Sequence, residues 1–418
     1  MSTWDPAAAA TAADADDPLA AFRERFVIDD PDIVYLDGNS LGRLPHATRE
    51  RLVRAIDTDW GVNLIEGWND WLDLAQQAGD VIARLIGARP GEVALSDSTT
   101  VNIYKLASAA LDARPDRHVV ITDDDNFPTD RYVLQGLAAA RGLELRMLKT
   151  DMDNGIEAAD VIAALDEDVA LVSLSHTAYR SGAVADIATI TDAVHEAGAL
   201  MLWDLCHSAG SVPVGLSEVG ADLAIGCTYK HLNGGPGSPA FLYVRADLQP
   251  QLRSPIWGWF AQREMFEMGA AFDPVETVDR FLAGSPPVLS GYGALEGARI
   301  SAEAGIKAIG TKARALSTYT VKLFDLWLAR HGFSLASPRD PKRRGAQVTL
   351  HHPAAWQIVQ ALKAARVVPD FRQPNRVRLG LAPLYTRFAD VHEGMRRLAD
   401  IMETKAYEEF PADRGRLT

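Results

Sequence analysis

The chain has 418 residues, 47% of them hydrophobic, enough to bury one large core and a smaller one. A formal net charge of −14, with Lys342-Arg343-Arg344 as the longest basic run, argues against nucleic acid as a partner. No apolar run approaches the roughly 20 residues that span a bilayer, so no membrane partner is expected.

Residues 1–18 have neither a basic start nor an apolar stretch of leader length, and they read as a mobile, acidic, Ala-rich tail. Residues 19–60 are expected to pack with a small domain. From residue 61 to 305 apolar runs alternate with amphipathic stretches. Glu92–Ser96, His118–Thr122, Leu143–Leu148, Val169–Leu174, Leu200–Trp203 and Asp222–Gly226 read as strands, while 130–141 and 187–198 carry helical spacing. This alternation predicts an α/β fold with a mostly parallel sheet covered by helices on both faces. A long helix is expected over Ala298–Ala329. Residues 306–418 then read as a smaller α+β domain, with strands at 345–351 and 375–381 around a helix at 353–365.

The chemistry gathers where strands end. The strand before Asp204-Leu205-Cys206-His207 delivers an acid and an imidazole, and the next strand leads to Tyr229-Lys230 and a Gly-rich loop. Open α/β sheets bind ligands at the carboxyl ends of their strands. A lysine after one strand and a carboxylate after its neighbour suit pyridoxal 5′-phosphate, whose aldehyde needs an amine and whose pyridinium nitrogen needs an anion. Thr99 and Thr100 stand at a predicted helix start, where free N–H groups favour a phosphate and where a Ser or Thr also serves as an ordinary cap. Phe127 offers a ring to stack on the pyridine, Asp130 a carboxylate, and Ser175-His176 and Tyr179-Arg180 further donors. Arg376 and Arg378 share one face of a strand, and the spacing does not choose between them as a grip for a substrate carboxylate. No metal motif is present: H-E-x-x-H and C-x-x-C are both absent. The two cysteines, Cys206 and Cys227, lie beside strand ends in core-like positions, which suggests a reducing compartment, the cytoplasm, and no disulfide framework.

Taken in order, Tyr35-Leu-Asp-Gly-Asn-Ser-Leu-Gly42, Asn126-Phe-Pro-Thr-Asp130, Trp203-Asp-Leu-Cys-His-Ser-Ala-Gly210, Thr228-Tyr-Lys-His-Leu-Asn-Gly-Gly-Pro-Gly237, Gly258-Trp-Phe260 and Phe281-Leu-Ala-Gly-Ser-Pro-Pro287 make the chain resemble the kynureninase family, a branch of the fold type I pyridoxal-phosphate enzymes, over about residues 20–400. The resemblance implies that Lys230 carries the cofactor, that Asp204 with Asp130 nearby keeps the pyridine nitrogen protonated, and that Phe127 stacks on the ring. It further implies cofactor contacts from Thr99, Thr100, Ser175, His207 and Tyr229, with Tyr229 also a candidate acid/base. Trp259 and Ser285 would reach the cofactor from a neighbouring subunit, so a homodimer with shared active sites is implied. Arg378 would grip the substrate carboxylate, with Ser40 and Trp68 also on the substrate side.

The implied reaction is hydrolysis of L-kynurenine to anthranilate and L-alanine, with weaker activity on the 3-hydroxy derivative. Two rivals share the fold. A cysteine desulfurase needs a mobile, exposed thiol, which the core-like Cys206 and Cys227 do not suit. A silent fold-type-I binding protein has no need of Lys230, Asp204 and the arginines together.

Overall fold

The computed structural model describes residues 4–413. A two-residue strand, β1 (Val34–Tyr35), comes first, followed by β2 (Val93–Leu95), β3 (Val119–Asp123), β4 (Glu144–Leu148), β5 (Val169–Ser175), β6 (Leu200–Asp204), β7 (Leu223–Gly226) and β8 (Phe241–Val244). The last seven form one sheet in the order β2-β8-β7-β6-β5-β3-β4. Only β8 runs against the others, pairing antiparallel with both β2 and β7. Central strands such as β6 and β7 are buried along their whole length, as a parallel sheet covered on both faces requires. Edge strand β4 is partly exposed.

Helices Leu74–Ile86, Thr99–Asp112, Pro128–Arg141, Ile187–Glu196 and Val288–Ala304 flank this sheet. The second sheet contains β9 (Ser334–Leu335), β10 (Gln347–His351), β12 (Asp370–Arg372) and β13 (Arg376–Gly380) in the order β12-β13-β10-β9. Its core joins Val348, Leu350, Phe371 and Val377 to Ile358 and Met395 from two helices. The short strand β11 (Val367–Val368) pairs in parallel with β1, which docks the N-terminal segment onto this second layer. No helix among the described residues is long and apolar enough to cross a membrane.

Two expectations need correction, and one strand was missed. Residues 6–15 are not a mobile tail: Asp5 caps a helix over Pro6–Ala15, and Ala10 on it is buried. Asp14 accepts the N–H groups of Phe388 and Ala389, and Asp17 forms a buried ion pair with Lys312 at 2.6 Å. These tertiary bonds supply what an isolated ten-residue helix lacks. Secondly, the helix expected over 298–329 is broken. Gly305, at φ +80° and ψ 129°, separates Val288–Ala304 from Ile306–Leu323. Finally, β8 was not foreseen, because four apolar residues directly after a Gly-rich loop carry too short a pattern to read as a strand.

Candidate active site

Four parallel strands, β3, β5, β6 and β7, bring their carboxyl ends to one edge of the large sheet. The register pairs Ser175 on β5 with Asp204 on β6, and Asp204 with Ile225 on β7, so these ends lie side by side. Lys230 follows β7 on a loop in which Asn233, Gly235 and Gly237 all adopt positive φ. The helix Val288–Ala304 approaches this loop closely because it carries glycine there. A Cβ on Gly297 would lie 2.1 Å from the Leu232 carbonyl oxygen. From the other side Gly42 donates its N–H to the Tyr229 carbonyl at 2.8 Å, which presses the 35–42 segment against the lysine.

The Lys230 ammonium nitrogen stands 3.1 Å from His207 Nε2 and 5.8 Å from the centroids of both the Phe127 and Tyr229 rings. Burial, followed by the charges of Lys230 and Arg378, drives the His207 imidazole well below its usual value, so it is neutral and accepts from the lysine. Its other nitrogen, Nδ1, is buried with no partner. Asp204 is 8% exposed; one of its oxygens accepts the Cys206 N–H at 2.7 Å and the other lies 3.3 Å from the Ser175 hydroxyl oxygen. Asp130 lies against it. Burial first, and then the Asp204 charge, push Asp130 well above the ordinary carboxylate range, which favours its protonated form beside Asp204. The Tyr229 phenol is pushed up by the neighbouring Cys227 sulfur and by burial, so it holds its proton.

Asn126 organises the facing wall. It accepts from the Phe127 N–H and the Ser175 hydroxyl, each at 2.8 Å, and its amide donates to Thr122 at 3.1 Å. The Phe127 ring meets Tyr179 edge-on at 5.2 Å. At the start of Thr99–Asp112 the cap is Ser98, which accepts the Val101 N–H at 3.4 Å. That corrects the capping role given to Thr99 and Thr100, and neither hydroxyl is committed to a hydrogen bond among the described residues.

The structure separates the two arginines of β13. Arg376 is paired with Asp153 at 2.5 Å. Arg378, 1% exposed, donates to the Tyr179 carbonyl at 2.7 Å, the Ser40 hydroxyl at 2.7 Å and Asp370 at 2.5 Å, while its Nε is buried without a partner. Two other candidates have structural partners: His176 bonds to Ser208 at 2.9 Å, and Arg180 forms an ion pair with Asp125. Trp68 does not join the lysine cluster. It packs on Trp259 at 6.3 Å and Phe260 at 6.2 Å, and Phe260 donates to the Ala283 carbonyl beside exposed Ser285. Trp68, Trp259 and Ser285 thus make a second assembly, with no bond or ring contact to Lys230 among the described residues.

Sequence reasoning missed Asn126, although it lies inside a quoted motif, and also Asp370 and Lys105, for which nothing local gave a signal. Lys105 is fully buried and donates to Ser96 at 2.9 Å, Asp97 at 2.7 Å and the Phe281 carbonyl at 2.6 Å. It therefore ties the turn before Thr99 to the segment leading to Ser285. Cys206 and Cys227 are both free and buried, which removes the exposed thiol that desulfuration needs.

Comparisons with known proteins give the chain's relatives. Residues 309–398 match the family described as Kynureninase C-terminal domain. A kynureninase of Burkholderia pseudomallei is 43% identical over 406 residues, covering 95% of this chain and 96% of the relative. A kynureninase of Pseudomonas fluorescens is 39% identical over 404 residues, covering 95% of each. Among solved structures, a cysteine desulfurase from Thermococcus onnurineus superposes with a TM-score of 0.77 at 18% identity, over 94% of this chain and 98% of that one. One from Escherichia coli reaches 0.78 at 18% identity, over 92% and 98%. At such identity these two share the fold alone, whereas the near-full-length relatives place the chain more narrowly: it belongs to the kynureninase family.

Proposed function

We propose that this chain is a pyridoxal-phosphate-dependent hydrolase that cleaves the Cβ–Cγ bond of L-kynurenine, releasing anthranilate and L-alanine. The observation that carries the reading is the cluster of Lys230, neutral His207 and the adjoining Asp130 and Asp204 carboxyls at the carboxyl edge of the sheet, in a member of this family. The residues fit the cofactor. His207 Nδ1 is a buried atom waiting for a partner, and Asp204 is an anion suited to a protonated ring nitrogen.

When bound, the cofactor supplies an electron sink for negative charge at the substrate carbon beside the amine. Lys230 would hold its aldehyde and, once displaced by the substrate amine, take the α-proton. Asp204 would keep the ring nitrogen charged, Phe127 would cover the ring, and Thr99, Thr100, Ser175 and His207 would hold its polar groups. Tyr229 keeps its phenolic proton and is placed to donate it rather than to act as a base. Arg378, with Ser40 beside it, would grip the substrate carboxylate through the free Nε. Incubation with pyridoxal phosphate and L-kynurenine should yield fluorescent anthranilate and alanine in equal amounts, and the absence of both would overturn the reading.

The second assembly suits a homodimer. Phe266, 65% exposed, meets Trp259 edge-on at 6.2 Å, and Trp257 at 70% and Met268 at 71% exposure lie on the same stretch of chain, a concentration of large apolar groups that a second copy would cover. Trp259 and Ser285 would then serve the partner's site, and Trp68, packed on Trp259, would form part of the same wall. The two free thiols suit a reducing cytoplasm.

An indole wall offers one donor and little compensation for the water lost by a ring hydroxyl. L-kynurenine should therefore show a kcat/KM about tenfold above that of its 3-hydroxy derivative, since an unsatisfied hydroxyl costs about 1–3 kcal/mol. Equal values, or the reverse order, would remove Trp68 and Ser285 from the ring pocket.

A further inference from the structure

Arg378 has a neighbour that the proposed reaction does not use. Strand β1 leads into Leu36, whose carbonyl accepts the Gly380 N–H at 2.7 Å, and Asp37 then bridges to Gly380. This places the Asp37 carboxylate beside the guanidinium that sits two positions earlier on β13. The contact is long: Asp37 Oδ1 is 4.0 Å from Arg378 Nη2, whereas Asp370 is at 2.5 Å. Asp37 Oδ1 is buried and has no hydrogen-bond partner. Arg372, the second cation nearby, is also engaged by Asp370, at 2.8 Å.

The other groups facing Asp37 do not neutralise it. From its own segment come the Ser40 hydroxyl, a neutral hydrogen-bond donor to its carboxylate, and the Tyr35 phenol, and from the turn before the last long helix comes the Tyr385 phenol. Arg43 lies over the Tyr35 and Tyr385 rings, 5.1 and 5.8 Å from their centroids. The buried guanidinium of Arg378 therefore already has a close carboxylate, Asp370, and a more distant one, Asp37. A substrate carboxylate arriving at its free Nε would be the third anion around one buried cation. Three anions around one buried cation repel one another, and the least well paired of them is the one driven to take a proton.

We propose that Asp37 is that proton acceptor, so that an amino-acid substrate binds at Arg378 together with one proton. The proposal rests on Arg378 as the carboxylate anchor, and it makes Asp37 a positioning residue that acts through the arginine. Burial, then the charge of Asp370, already raise Asp37 to about 6 in the free protein. A bound carboxylate raises it further. The sign follows: below pH 6 Asp37 is protonated before binding and the KM contribution is flat, and above pH 6 binding must draw a proton from water. KM should then climb by up to about tenfold per pH unit, until the bound-state value is passed.

The test uses the holoenzyme in three forms: wild type, Asp37→Asn and Arg378→Lys. KM and kcat for L-kynurenine are measured from about pH 5.5 to 8.5, and calorimetry in two buffers of different ionisation enthalpy counts protons taken up with L-alanine. In Asp37→Asn the rise of KM above pH 6 should disappear, KM at pH 8 should fall below the wild-type value while kcat holds, and proton uptake should drop by about one. A KM profile for Asp37→Asn that tracks wild type overturns the proposal. If Arg378→Lys still raises KM, the carboxylate anchor survives and only the Asp37 role falls. If Arg378→Lys leaves KM unchanged, the anchor fails and the proposal falls with it. Should Asp37→Asn fold poorly, the wild-type calorimetry decides, since no proton uptake between pH 6 and 8 is incompatible with the proposal.

Discussion

Lys230→Ala should abolish the yellow colour of the holoenzyme and lower kcat by at least about three orders of magnitude, because the amine that holds the cofactor and moves the α-proton is gone. The structure gives this lysine a setting that its buried counterparts lack. Lys105 is spent on Asp97, Ser96 and the Phe281 carbonyl, and Lys312 is paired with Asp17. Lys230 instead meets a neutral imidazole, and although burial opposes its charge, the Cys227 and Cys206 sulfurs and Asp204 hold its ammonium above the usual lysine value. It is thus protonated in the free protein, and it has no close carboxylate to give up before reacting with an aldehyde. Borohydride reduction of the holoenzyme should fix the cofactor on the peptide containing Tyr229-Lys230-His231. A label on Lys105 or Lys312 would sink the assignment.

Asp204→Asn should leave the fold in place and slow the loss of the substrate α-proton by about 10²- to 10³-fold, the range for removing one preorganised electrostatic partner. The amide oxygen of Asn can still accept the Cys206 N–H, so the strand end keeps its shape. What is lost is the charge. Asp130 is held protonated first by burial, which remains, and then by the Asp204 charge, so the variant ionises Asp130 more readily than wild type and recovers some of the missing stabilisation. Asp204→Asn/Asp130→Asn should therefore be slower than Asp204→Asn alone. Wild-type exchange of the α-proton in heavy water by the single variant would end the electron-sink role of Asp204.

Much of this site was legible because its chemistry is local in sequence. Asp204 ends a five-residue buried strand and His207 comes three residues later, Lys230 follows the next strand, and parallel strands put their carboxyl ends at one edge. Strand periodicity also placed Arg376 and Arg378 together. It could not separate them, because what distinguishes them is contact: Asp153 takes the first, while Ser40, Tyr179 and Asp370 surround the second. Asp370 opposes Arg378 across an antiparallel pair, a register that no local pattern announces. The helix at Pro6–Ala15 escaped notice for the same reason. Its Ala-rich composition is ambiguous alone, and its stability comes from Phe388, Ala389 and Lys312, all far along the chain. The break at Gly305 shows the converse, a helix-favouring stretch interrupted by one residue whose φ is positive.

That N-terminal helix also sets the order of assembly. Asp14 is 374 residues from the N–H group of Phe388 that it caps, and Arg23 is 367 residues from Asp390, its ion-pair partner. The large sheet draws all seven strands from residues 93–244, so it can close on contacts made within the chain's middle. The first segment emerges from the ribosome long before its partners exist, and the entropy of closing so long a loop is recovered only once β11 and β13 are in place. Asp37 and Ser40 travel on that segment. The carboxylate-binding end of the site is consequently the last part to form, and a refolding chain should acquire its sheet and cofactor-binding lysine loop before it acquires affinity for an amino acid.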